Sequence, residues 1–222
     1  MVGCSAVALG QILWYWNWPD YAMIHDSIKH NGDVLGNVRK HFYDWEQIPT
    51  KLLNYTSQYQ ADNIGKLLRD CGYAEHMLYR NTFSLAGLPK MKYAIENYFH
   101  FHYEQVHDNL IDDYDYLLIN EINNLRPILC QAWETILSDA HSFVIDGYDS
   151  NCNFHINFGW LGTDNGFYDM GFNGFDNNRT FLTEIYPNCT ARSDFINGIN
   201  ETNILADSVV TYYSTNDIVL NG

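Results

Sequence analysis

Three side chains of a kind that perform covalent chemistry together are spread along this sequence: Cys4 at its front, with His141 and Asn157 far downstream. A thiol attacks as its thiolate, and the start of a helix favours that form because the helix dipole and unpaired N–H groups stabilise negative charge. An activated thiol also needs a base within hydrogen-bond reach, and the base needs a third group to hold its ring. His141 supplies an imidazole. The Asn157 amide can accept one ring N–H and aim the other ring nitrogen at sulfur, with Trp160 placed to shield that bond from water. The competing reading of Cys4 is a small buried residue among Gly3, Ser5, Ala6 and Ala8, since free cysteine is among the most buried residue types.

The elements that must position these groups fall into two halves. Residues 3–16 read as a helix apolar on nearly all sides, through Val7, Leu9, Ile12, Leu13, Trp14 and Trp16, and such a helix is buried. Pro19 ends it. A mostly helical stretch is expected next: "DNIGKLLRDCGY" at 62–73 with Gly72 as C-terminal cap, "LPKMKYAIENYFHF" at 88–101 with Pro89 in the first turn, and "DYDYLLINEINNLRP" at 113–127. After Pro127 the pattern changes to short β-branched and aromatic runs broken by Gly, Asn and Asp: "ILCQAW", "HSFVIDGYD", "NFHINFGW", "GFYDMGF" and "FLTEIYP". The second and third of these predict a hairpin turning near Asp149 to Asn153, which returns Asn157 toward the end of the strand where His141 sits. Helices first and antiparallel strands second imply two lobes with a ligand site in the cleft between them. Residues 188–222, rich in Asn, Thr, Ser and Asp, read as a polar linker and the start of a truncated downstream β domain.

Composition narrows the partners. The formal charge of −15, from 27 acids against 12 bases, argues against general nucleic-acid or anionic-membrane binding, which needs concentrated Lys and Arg. Proteins, peptides and neutral ligands remain. The 46% hydrophobic content is ample for a core, and no apolar run is long enough to span a bilayer. The cysteines Cys4, Cys71, Cys130, Cys152 and Cys189 show no C-x-x-C spacing, so neither a zinc ribbon nor a thioredoxin motif is supported, and the odd count leaves at least one thiol free. His100, His102 and His107 invite a metal reading that no nearby ligand spacing supports, so no metal or organic cofactor is expected.

Cysteine first, with histidine and asparagine far downstream, is the order of papain-like peptidases. The stretches "GCSAVALGQILWYWNWP", "YDWEQIP", "LLRDCGYAEHMLY", "SLAGLPKMKYAIENYFHF", "RPILCQA", "HSFVIDGYD" and "HINFGWLGTDNGFYDM" resemble, in order, segments of the streptopain family of bacterial cysteine peptidases. The resemblance runs over roughly residues 3–187 and implies a peptidase domain at 1–187, with an α+β papain-like fold: an N-terminal helical lobe facing a C-terminal antiparallel β-barrel-like lobe. It implies Cys4 as nucleophile, His141 as base and later acid, Asn157 as orienting residue and Trp160 as a wall of the site. Gln131, Asp139, Ala140 and Gly159 are expected to line the substrate cleft, and Asp139 to raise the pKa of His141 by charge proximity. The implied activity is secreted or cell-surface bacterial endopeptidase, cutting proteins or peptides through a thioester. Family members also carry an N-terminal prosegment and a Gln shortly before the cysteine, neither of which lies within this sequence. The alternative reading is a catalytically weak papain-shaped module that binds host or cell-surface proteins.

Overall fold

The computed structural model describes residues 2–22, 27–30, 33–37, 41–50, 53–79, 84–107, 114–134, 140–170, 175, 177–188, 210–213 and 217–220. In chain order the elements are α1 (Cys4–Trp16), β1 (Tyr21–Ala22), β2 (Ser27–His30), β3 (Asp33–Asn37), β4 (His41–Phe42), α2 (Gln58–Ala74), β5 (Leu78–Tyr79), β6 (Ser84–Leu85), α3 (Leu88–Asn97), β7 (Phe101–His107), α4 (Tyr114–Asn123), β8 (Ile128–Trp133), β9 (Ala140–Tyr148), β10 (Phe154–Asn157), β11 (Gly166–Tyr168), β12 (Asn177–Pro187), β13 (Val210–Tyr213) and β14 (Asp217–Leu220). The expected α+β class, helices followed by an antiparallel sheet, is what the chain adopts.

The all-apolar front helix is buried as its composition demands, with Ala6, Ala8, Leu9, Ile12 and Leu13 sealed from solvent. It ends on Asn17 in the left-handed conformation, whose N–H reaches the Leu13 and Trp14 carbonyls, so the helix closes on a local cap two residues before Pro19. α2 opens on a reciprocal capping box between Ser57 and Gln60, which satisfies otherwise orphaned N–H groups. Around α1, α2 and α3 lies one apolar cluster.

The large sheet runs β11-β10-β9-β8-β12-β7 and is antiparallel throughout that path. Strand alternation divides its two faces. Leu129, Val144 and Leu182 join the helical cluster on α1, whereas Ile128, Cys130, Phe143, Ile145 and Phe181 pack with Leu118 and Ile122 of α4 in a second cluster. The hairpin turn falls where the sequence predicts it: the Asp149 carboxylate accepts from the N–H groups of Asn151 and Asn153, and Tyr148 faces Phe154. β13 and β14 form a further hairpin whose second strand pairs with β9.

Three expectations are corrected. The described part of 20–42 holds the short strands β1 to β4 in place of helix, because periodicity there is too brief to nucleate one. Gly72 is not a cap. It sits inside α2, where a Cβ would lie 2.1 Å from the Tyr79 hydroxyl oxygen, so close approach of β5 explains the glycine and Glu75 takes the C-cap. The helices expected at 88–101 and 113–127 stop at Asn97 and Asn123: residues 101–107 are recruited as the edge strand β7 against β12, and the chain after α4 turns through Leu125 at φ 57°.

Candidate active site at the start of helix α1

Gly3 is extended and Cys4 is the first helical residue, so the N–H groups of Cys4 and Ser5 have no acceptor within the helix. Both face the Cys4 sulfur, joined by a third N–H from Ser142 of β9. The sequence expectation was of a thiol pushed down by the helix start. Burial outweighs that effect: it raises the Cys4 thiol above its ordinary value, the three N–H groups pull the other way, and the nearby Glu75 carboxyl raises it further.

Ser142 follows His141, so β9 brings the imidazole to the same end of the cleft as the sulfur. The ring is 7% exposed. Its Nε2 lies 3.0 Å from the carbonyl oxygen of Phe158. A carbonyl only accepts, so Nε2 carries the proton and the neutral ring keeps its lone pair on Nδ1. Rings enclose it: Trp160 at 4.7 Å between centroids, Phe175 at 5.2 Å and Phe158 at 6.0 Å. Burial among them lowers the imidazole below its ordinary value of 6.5, the reverse of the increase expected from Asp139, which itself lies outside the described residues. Thiol and imidazole are therefore both neutral near pH 7, and among the described residues no hydrogen bond joins them.

Asn157 stands at the end of β10 opposite Val144, so the hairpin ends short of His141. Its Oδ1 accepts from Gln11 Nε2 at 2.9 Å and from the Gly159 N–H at 3.1 Å. The orienting bond to the imidazole comes instead from the main chain one residue on. Gly159 has φ +76° and packs so closely on α1 that a Cβ would lie 2.7 Å from Val7 Cγ1. Trp160, 41% exposed, stacks on Phe158 at 5.1 Å and covers the imidazole from the solvent side.

Of the other expected cleft residues, Gln131 is half-buried on β8 and donates to Ser142 Oγ at 3.3 Å, and Ala140 begins β9 opposite Trp133. Two of the three histidines set aside as metal candidates have other engagements: His102 stacks on Tyr186, and His107 bonds Thr180 and Gln105. Among the described residues no group of three or more potential ligands converges.

Sequence reasoning missed Gln11, Glu75 and the Phe158 carbonyl. Gln11 had a signal: Cys4, Val7 and Gln11 recur at i, i+3 and i+7, which puts all three on one stripe of α1. Glu75 had none, because a charged residue after a helix is ordinarily solvated. A carbonyl is not visible in side-chain chemistry at all.

The sequence and the fold are similar to those of known proteins. The chain is 27% identical over 182 residues to streptopain of Streptococcus pyogenes, covering 76% of this chain and 45% of that protein. It is 26% identical over 176 residues to the thiol protease/hemagglutinin PrtT of Porphyromonas gingivalis, covering 74% of this chain and 20% of that one. The chain thus spans less than half the length of these relatives. Its fold superposes on active interpain A cysteine protease of Prevotella intermedia with a TM-score of 0.71 at 20% identity, covering 83% of each chain. A prointerpain A fragment gives 0.69, with 83% of this chain and 63% of that one covered. The sequence model of the Peptidase C10 family matches residues 1–168, and the chain belongs to that family.

Proposed function

We propose that this protein is a secreted or cell-surface cysteine endopeptidase whose peptidase domain spans residues 1–187, with β13 and β14 of the following segment adding to its sheet beside β9. The observation that carries the reading is a helix-start sulfur under three N–H groups, one of them from Ser142, whose neighbour His141 has its Nε2–H pinned to a carbonyl, leaving Nδ1 to accept a proton. Nδ1 takes the Cys4 proton and the sulfur adds to a peptide carbonyl. The developing oxyanion is met by main-chain N–H at the start of α1. The resulting imidazolium protonates the leaving amine as the C–N bond breaks, and water, deprotonated by His141, then hydrolyses the thioester to acid and free thiol. Trp160 excludes water from the ion pair, and Asn157, held by Gln11, fixes the main chain that orients the ring. Protein substrates lie extended past Gln131, Asp139, Ala140 and Gly159.

The alternative, a papain-shaped module that binds proteins without cutting them, draws on burial holding both Cys4 and His141 in their neutral forms. The two part company in one experiment. Treatment with an epoxysuccinyl thiol inhibitor, followed by peptide mass spectrometry, is expected to place one adduct on Cys4, and casein hydrolysis is expected to vanish in Cys4→Ala. Modification confined to the exposed Cys152, with no hydrolysis by the unaltered chain, would leave the binding module standing.

A further inference from the structure

Directly behind the sulfur-bearing turn lies a carboxyl group that the proposed reaction does not use. Glu75 caps the C-terminus of α2 and is fully buried. Its Oε2 accepts from the Ser5 hydroxyl at 2.6 Å, and Ser5 is the residue after Cys4. Its Oε1 is buried without a hydrogen-bond partner. Among the described residues no cation pairs with it. The groups that share its surroundings are Cys4 and Ser5 from α1, Asp70, Cys71 and Tyr73 from α2, and Tyr79 from β5. The nearby cation, Arg69, is committed to Asp70, which also takes the Tyr43 hydroxyl; Lys90 of α3 reaches only the His76 carbonyl.

Every physical influence on this group but one disfavours its anion. It has no bulk water, it sits at the negative end of α2, and one oxygen has no donor. Only the Ser5 hydroxyl favours charge, and the net effect of burial pushes Glu75 up to about 8. A neutral acid at pH 7 leaves the positive end of α1 free to stabilise a Cys4 thiolate. An anion in the same place opposes it, which is the direction of Glu75's influence on the Cys4 thiol.

We propose that Glu75 is a positioning residue that acts on Cys4 through Ser5: as a neutral acid it holds the first turn of α1 in place, and on ionising it sets a negative charge behind the sulfur and suppresses the thiolate. The proposal rests on Cys4 being the nucleophile, and it makes Glu75 ionisation a brake, built into the helical lobe, on the rise of the Cys4 thiolate in mildly alkaline solution.

The test is the rate of iodoacetamide alkylation at Cys4 between pH 5 and 10, read peptide by peptide so that the exposed Cys152 does not contribute, in the unaltered chain and in Glu75→Gln. The unaltered chain is expected to show a two-step profile that flattens near pH 8. The amide variant is expected to show a single step with a lower midpoint, and alkylation above pH 8 faster by roughly three- to tenfold, the effect of removing a like charge nearby. Should Glu75→Gln fail to fold, Ser5→Ala serves: losing the one bond that favours the anion shifts the second step to higher pH. Superimposable profiles with Cys4 modified in each protein overturn the role of Glu75 alone. Absence of any Cys4 adduct in either protein overturns the nucleophile and this role with it.

Discussion

His141 is oriented by the backbone of Phe158, through the 3.0 Å contact from Nε2 to the carbonyl oxygen, and not by the side chain of Asn157. The asparagine works one step removed: it accepts from Gln11 and from Gly159, and so clamps the turn that presents the carbonyl. The third member of the constellation is thus a tether between lobes.

That division of labour makes Asn157 and Gln11 a coupled pair. Asn157→Ala and Gln11→Ala are each expected to lower kcat/KM by roughly 5- to 30-fold, the loss of one partly buried hydrogen bond of about 1–2 kcal/mol. The double variant is expected to cost little more than either single one, and a double-mutant cycle on kcat/KM measures this. Strict additivity would show that the two side chains act separately.

Burial lowers the imidazole, and the sign of its effect on stability follows. Between its folded value and 6.5 the unfolded chain binds more protons than the folded one, so this contribution is present above 6.5 and is lost as pH falls through that window. In Cys4→Ala, which removes coupling to the thiol, the His141 Cε1 proton followed by NMR is expected to titrate below 6.5. A midpoint at or above 6.5 would mean that the aromatic enclosure is open to water.

Glu75 carries the opposite sign. Its folded value of about 8 lies above its ordinary value of 4.5, so its contribution is fully present below 4.5 and is lost as pH rises through 8. Urea midpoints from pH 4 to 9 are expected to fall with pH in the unaltered chain, by the equivalent of roughly 3–5 kcal/mol if the whole shift is realised. In Glu75→Gln this component is absent, and the curve across the same range is correspondingly flatter.

Gly159 is tested by adding one methyl group. Gly159→Ala places a side chain at φ +76° and a Cβ 2.7 Å from Val7 Cγ1, and it is expected to destabilise by about 1–3 kcal/mol. Val7→Ala in the same chain is expected to recover the part due to collision but not the part due to backbone strain. Urea denaturation of the two variants separates these contributions. Equal stability of Gly159→Ala and the unaltered chain would show that α1 and the turn do not touch.

Much of the fold was legible because its signals are local. The all-apolar run made α1 a buried helix, the short apolar and aromatic runs "ILCQAW" and "HSFVIDGYD" made β8 and β9, and the Asp149 to Asn153 cluster made the turn between β9 and β10. Where the reading failed, the deciding contact was distant in sequence. The helix expected over 88–101 stops short because Phe101 begins a strand whose partner, β12, lies some eighty residues later. Gly72 looks like a cap until Tyr79 folds over it.

The site divides in the same way. Residue types and their order were enough to single out Cys4, His141, Asn157 and Trp160, because thiol, imidazole and amide chemistry is written in the side chains themselves. Tertiary structure alone decided which way the imidazole points, what holds Asn157, and that Glu75 lies buried behind the sulfur. Orientation, register and desolvation are properties of how distant segments pack, and a one-residue shift at a bulge or the loss of water around a carboxyl leaves no trace in the sequence that carries it.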